Sequence, residues 1–191
     1  MSSGRLNRDA LRAPIATARL VLEPVRADHA EALYAGLQDP RIYAWISAAP
    51  PRSAERLRQR WPASFRDGDV IDLAWVAMRT VDGACIGKLD AEVLARGVAT
   101  NVGYLFFPAF WGQGYASEAV RALAAHLARA GVHRQRATVT VGNDASCRVL
   151  ERAGFARRRV LAGNDTIRGE VVDDIEYVRE ASPSDDHAPV R

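Results

Sequence analysis

The order in which the hydrophobic period changes along the chain restricts its architecture more than any other feature. Residues 19–25 read as a first strand, with Pro24 at its edge or end. Helical spacing follows at Leu33 and Leu37, behind a capping-box pair Asp28 and Glu31, and Asp39-Pro40 stops that helix near Gln38. Ser53 then caps a second helix carrying Leu57, Trp61 and Phe65, which Pro62 kinks or ends. From Val70 the pattern turns strand-like. Asp82-Gly83 signals a two-residue hairpin turn and Ala95-Arg96-Gly97 a second turn, so residues 71–79, 84–93 and 101–107 form an antiparallel meander ended by Pro108. Between Ser117 and Ala130 one helical face holds Val120, Leu123, Ala124 and Leu127, and Gly131 stands at a left-handed cap. Residues 136–141 alternate as a strand, 145–153 form a short helix closed by Gly154, and 155–161 and 170–179 form a hairpin through Gly163-Asn164-Asp165. This order, β, α, α, β, β, β, α, β, α, β, β, predicts an α/β (α+β) domain. Its sheet is central, twisted and mixed but mostly antiparallel, with about seven strands and about four flanking helices.

A chain of 191 residues, 48% of them apolar, fits a single domain that buries roughly 70% of its unfolded surface. We expect a flexible arm over residues 1–14, the folded domain over 15–180 and a disordered Pro/Ser/Asp-rich tail over 181–191. No secretory h-region is visible at the start, and no run reaches the ~18 apolar residues of a membrane span. The two cysteines, Cys85 and Cys147, lie in periodic apolar segments and are expected to be buried thiols, which suits a reduced cytoplasmic setting. The net charge of +3 comes from scattered arginines, with Lys88 the only lysine, and forms no basic stripe; this argues against nucleic-acid binding.

Chemistry concentrates at two loops. Between the third meander strand and the long helix, Gly112 and Gly114 allow a tight turn and close backbone approach, and a helix N-terminus begins there. Convergent N–H groups and the helix dipole make such a turn fit for a diphosphate, although an ordinary turn has the same composition. The second loop, Asn143-Asp144-Ala145-Ser146, also leaves a strand and opens a helix, and its residues are good helix caps as well as good ligand contacts. Both loops leave the carboxyl ends of neighbouring strands, where open α/β sheets place ligands.

Four stretches together resemble the GNAT superfamily of N-acetyltransferases, in its branch similar to the ribosomal-protein N-terminal acetyltransferases RimJ and RimL. They are residues 17–22; residues 39–45; Val102-Gly103-Tyr104 through Trp111-Gly112-Gln113-Gly114-Tyr115-Ala116-Ser117 to Ala119; and Asn143 through Ser146 to Phe155. The resemblance implies acetyl-CoA as cosubstrate and a splay between the fourth and fifth strands that admits its pantetheine arm. It assigns backbone contacts with the arm to Leu105, Phe106 and Phe107, and diphosphate contacts to Gly112, Gln113, Gly114, Tyr115, Ala116 and Ser117. Trp111 stands where the family often has Gln or Arg. A homodimer is suggested by the resemblance alone, and no metal is implied.

The reaction implied is direct attack of a neutral amine on the thioester in a ternary complex, with a backbone N–H near Leu105 or Phe106 as oxyanion donor. Ser146 is the candidate proton donor to the departing thiolate, and Asn143 is expected to hold the pantetheine or the amine; capping their helix is the other reading of both. The family commonly has a carboxylate where this chain has Asn101. Glu92 on the preceding strand is the alternative base, or simply an exposed strand glutamate, and Tyr104 offers a further hydroxyl or a core ring. Without a strong base, an α-amine of pKa about 8 is easier to use than a lysine of about 10.4, by roughly 3 kcal/mol. The expected acceptor is therefore a peptide N-terminus or a small-molecule amine of low pKa. Trp45, Trp61 and Trp75 belong to the core or to the acceptor pocket, the core being favoured. A non-catalytic acyl-CoA sensor, and more remotely a ribosome- or RNA-binding module, remain as alternatives.

Overall fold

The computed structural model describes residues 6–64 and 69–181, with backbone alone for 60–64. Eight strands form one sheet: β1 (Ile15–Ala16), β2 (Leu20–Pro24), β3 (Val70–Arg79), β4 (Cys85–Leu94), β5 (Val98–Phe106), β6 (Arg134–Thr140), β7 (Ala156–Ile167) and β8 (Glu170–Glu180). Their spatial order is β1-β2-β3-β4-β5-β6-β8-β7. Every pairing is antiparallel except that of β5 with β6. The α-helices among the described residues are α1 (Arg8–Leu11), α2 (Ala30–Gly36), α3 (Ala54–Ser64), α4 (Tyr115–Arg129) and α5 (Asp144–Arg152).

Strand alternation divides the apolar residues between the two faces of the sheet. Leu73, Trp75, Leu89, Ala91 and Val102 pack with Val120, Leu123 and Leu127 of α4 and Leu150 of α5. On the opposite face Ala74, Val76 and Leu105 meet Leu33 of α2 and Leu57 of α3. Each face thus buries one amphipathic layer, and the transfer of apolar surface from water, at about 25 cal/mol per Å², drives both.

The parallel pair β5 and β6 touches only at Val98–Arg134 and Ala99–Gln135. Beyond that point β6 follows β8 while β5 follows β4, so the two strands part and a cleft opens between them. This is the expected splay, displaced by one in strand number because β1 precedes the strand read as first.

Several local expectations are corrected. Part of the stretch read as a flexible arm forms α1, whose Leu11 is fully buried and whose preceding residue Asn7 donates its N–H to the Ala130 carbonyl at 2.9 Å. The first turn of the next helical stretch is capped by the His29 ring, which accepts the Arg26 N–H at 3.1 Å, not by Glu31. Arg79 and Ala84 close the first hairpin around Thr80, Val81, Asp82 and Gly83, twice the expected loop length, because Asp82 pairs with Arg79 and accepts the Ala84 N–H. Gly163-Asn164-Asp165 is not the closing turn but an irregularity within β7; Arg168 and Gly169, both with positive φ, make the turn. α3 passes through Pro62 without ending there. Cys85 and Cys147 are free but half-buried. Residues 1–5 and 182–191, Phe65 and the side chain of Trp61 lie outside what is described.

Candidate active site

The first wall of the cleft is the junction between β5 and α4. After a short 3-10 turn, Pro108–Phe110, Gly112 and Gly114 adopt φ of 74° and 81°. A Cβ at Gly112 would meet nothing within 4 Å, so the glycine requirement there is conformational, not steric. Gly114 is the N-cap of α4. The backbone N–H groups of Gly112 through Ser117 have no acceptor among the described residues. They surround the positive end of a four-turn helix and form a cradle that fits a diphosphate.

Arg19 braces this turn from behind. Its Nη1 donates to the Gln113 carbonyl at 3.0 Å, its Nε to Glu118 at 2.7 Å, and its guanidinium lies 4.4 Å from the centre of the Tyr115 ring. Glu118 also accepts from Thr17 Oγ1 at 2.7 Å and from the Arg19 N–H at 2.8 Å. Burial pushes its carboxyl up, but the bonds from Thr17 and Arg19 together outweigh that and hold it below the usual range. Trp111, where the family often has Gln or Arg, donates its indole Nε1–H to the Phe106 carbonyl at 2.6 Å and ties the loop to β5.

The second wall is the start of α5. Asn143 caps the helix, its Oδ1 accepting the Ser146 N–H at 3.2 Å, which leaves the amide Nδ2 for a ligand. Ser146 Oγ lies 2.5 Å from the Tyr104 oxygen, where either group can donate, and the Ser146 carbonyl lies 3.0 Å from the same hydroxyl as a second acceptor. Burial raises the Tyr104 phenol, partly offset by its bond with Ser146, and it is pushed up to about 12. The pair is therefore fully protonated at neutral pH and able to donate.

Between these walls lies a cleft of about 780 Å³. It brings together Gly112, Gly114, Tyr115, Ala116 and Ser117 with Leu105, Phe106, Asn143 and Ser146. Three residues named from the sequence are not on its lining. Phe107 sends its N–H to the Ile86 carbonyl at 2.9 Å and its ring into the α2 and α3 layer against Gly36, because alternation at the strand end points it away. Gln113 is exposed and turns its carbonyl to Arg19. Glu92 is exposed beside Thr100, whose Oγ1 lies 3.4 Å from its carboxylate.

The cleft carboxylate that sequence reading missed is Asp90. Register sets it opposite Gly103 of β5, and a Cβ at Gly103 would come within 2.5 Å of Asp90 Oδ2. The carboxylate occupies the space that a Cβ at Gly103 would take, so a larger residue there would turn Asp90 aside; Lys88 Nζ donates to its other oxygen at 3.0 Å. The alternation Lys88-Leu89-Asp90 signals a polar face, but nothing local shows what the face meets. The cleft lining also includes Asp174, which accepts from Asn164 Nδ2 at 2.7 Å, and Asp165. The tryptophans divide: Trp75 is core with 0% exposure, whereas Trp45, 42% exposed, walls the cleft against Gly142.

Residues 19–156 match the acetyltransferase (GNAT) domain family. Among curated proteins, the chain is 27% identical over 150 residues to the uncharacterized N-acetyltransferase YoaA of Bacillus subtilis (strain 168), covering 76% of this chain and 84% of that protein. The fold is shared with RimL, the ribosomal L7/L12 alpha-N-protein acetyltransferase, solved in complex with coenzyme A: TM-score 0.78, 21% identity, 88% of this chain and 98% of that one. It is shared equally with the ribosomal-protein-S5-alanine acetyltransferase of Vibrio fischeri, at TM-score 0.77, 16% identity, and 90% and 98% coverage. The family match spans β2 to the start of β7 and takes in both loops that wall the cleft, so the chain belongs to the GNAT family of acetyl-CoA-dependent acetyltransferases.

Proposed function

We propose that the chain transfers the acetyl group of acetyl-CoA to the α-amine of a peptide N-terminus, or to a small-molecule amine of similarly low pKa, by direct attack in a ternary complex. One observation carries this reading: Gly112 and Gly114 through Ser117, whose backbone amides have no acceptor among the described residues, line the same cleft as the Tyr104–Ser146 hydroxyl pair and Asp90. Acetyl-CoA supplies the activated acyl group. The amides of the turn bind its diphosphate, and the Asn143 Nδ2 holds the arm or the incoming amine. As the C–S bond breaks, Ser146, hydrogen-bonded to Tyr104, donates a proton to the departing sulfur and regains one from the former amine nitrogen, which sheds it as the new C–N bond becomes an amide.

Asp90, and not Glu92, is the carboxylate we assign to the acceptor. It orients the ammonium form and takes its proton, directly or through water, before attack. Asp90 is half-exposed and already paired with Lys88, which favours an amine that loses its proton near neutral pH over a lysine side chain. RimL, an alpha-N-protein acetyltransferase, uses an acceptor of this class.

The test is thiol release from acetyl-CoA against peptides with free N-termini, Nα-blocked lysine peptides, aminoglycosides and free amino acids. Turnover is expected with free α-amines and not with the blocked lysine peptides. Turnover confined to lysine side chains would overturn the acceptor assignment, and cofactor binding without turnover on any amine would favour the sensor reading.

A further inference from the structure

Among the residues of α5 that face the cleft are Ala145, Arg148, Val149 and Arg152. Their spacing of three, four and seven is one helical stripe, so the two guanidinium groups stand one turn apart on the same wall. Other arginines near the cleft have carboxylate partners: Arg19 with Glu118, Arg41 with Asp39. Arg148 and Arg152 have no ion-pair or hydrogen-bond partner among the described residues. The two acids of the same helix do not serve them, since Glu151 accepts from the Tyr177 hydroxyl at 3.1 Å and Asp144 lies in the first turn without an ion pair to either. A like-charged pair at this spacing disfavours an isolated helix. Proximity to the helix C-terminus favours Arg152 but accounts less well for Arg148, in the middle of α5.

A pair of unpaired guanidinium groups on a cleft wall is chemistry for a phosphate monoester, whose three terminal oxygens accept forked N–H donors. The turn at the start of α4 lines the same cleft and has its own set of free amides. We infer that Arg148 and Arg152 form a second anion site, separate from the amide turn, which takes the 3′-phosphate of the coenzyme A ribose. This rests on the acetyl-CoA reading above and adds to it a basis for telling coenzyme A from its 3′-dephospho form.

Calorimetric titration of the wild type, Arg148→Gln, Arg152→Gln and the double variant with coenzyme A and with 3′-dephospho-coenzyme A tests it under reducing conditions. The wild type is expected to bind coenzyme A more tightly by about tenfold or more, and the double variant to bind both nucleotides equally, with its affinity for the dephospho form unchanged. Both side chains are exposed, so ligand-free melting temperatures should match and show that the variants fold. A preference that survives in the double variant, or a parallel loss of affinity for both nucleotides, would overturn the assignment to the 3′-phosphate. Equal binding of both by the wild type would overturn it too while leaving the cofactor reading intact; binding of neither would bring down the cofactor reading itself.

Discussion

The phenolic oxygen of Tyr104 on β5 lies 2.5 Å from the Oγ of Ser146 on α5, so a hydrogen bond spans the splay between strand and helix. If this pair delivers the proton to the leaving thiolate, Ser146→Ala should lower kcat by about 100-fold with little change in coenzyme A affinity. Tyr104→Phe should do the same, and the double variant should be little worse than either single one, because the groups act as a unit. Stopped-flow thiol release with parallel calorimetry measures both quantities. An unchanged rate in Ser146→Ala would remove it as the donor.

The same phenol gives a pH signature. Its acidity in the folded chain is pushed up to about 12, whereas an unfolded tyrosine titrates near 10. The folded state thus holds the proton more tightly, and the stability linked to it is complete below pH ~10 and fades as pH rises toward ~12. Melting temperatures should fall over that window, and Tyr104→Phe should flatten the fall. Tyr177 shifts in the same direction through burial, so the difference between wild type and variant, not the wild-type curve alone, is the measurement.

Glu118 has the opposite sign. Its carboxyl is held below the usual range, so its contribution is present above the unfolded value of about 4.5 and is lost as pH falls through the lowered folded value. Glu118→Gln should cost about 1 to 2 kcal/mol at pH 7 and much less near pH 3, read by urea denaturation at both. Coenzyme A affinity should fall as well, since Arg19 loses the partner that fixes it against the Gln113 carbonyl.

At Gly114 two substitutions separate backbone strain from charge. With φ at 81°, Gly114→Ala should destabilise by about 1 kcal/mol yet still bind coenzyme A weakly. Gly114→Asp sets a carboxylate against the phosphates and should abolish the coenzyme A-induced thermal shift. If both variants bind like the wild type, the turn is not the phosphate site.

Asp90→Asn should raise the KM for the amine by about tenfold while leaving coenzyme A affinity alone. Glu92→Gln should change neither. Acceptor saturation curves for the two variants, measured side by side, decide between the carboxylates; a response only in Glu92→Gln would return the role to that residue.

What could be read from the sequence was what depends on near neighbours. The glycine spacing at Gly112 and Gly114 marks a turn at a helix start because positive φ is a local demand, and Asn143 with Ser146 marks the next helix start for the same reason. Asp90 escaped because its significance lies in the register that sets it over Gly103, thirteen positions along the chain. Phe107 stands off the cleft lining because its N–H is taken by the Ile86 carbonyl, a cross-strand bond that no local pattern announces. Leu11 looked like part of a loose arm because what orders it, such as the contact of its carbonyl with His126 at 3.3 Å, is remote in sequence. Gly163-Asn164-Asp165 has turn composition but lies inside a strand where Asn164 serves Asp174 and the Gly163 N–H serves Asp173.

β5 and β6 share only two paired positions, after which the β5 edge from Thr100 onward has no neighbouring strand. An extended amide-bearing chain laid there would meet the backbone much as an added strand does. Loading the enzyme and completing its scaffold are then one event: a saturated enzyme should exchange its β5 amide protons more slowly than an empty one, and resist proteolysis at the seam between its two halves.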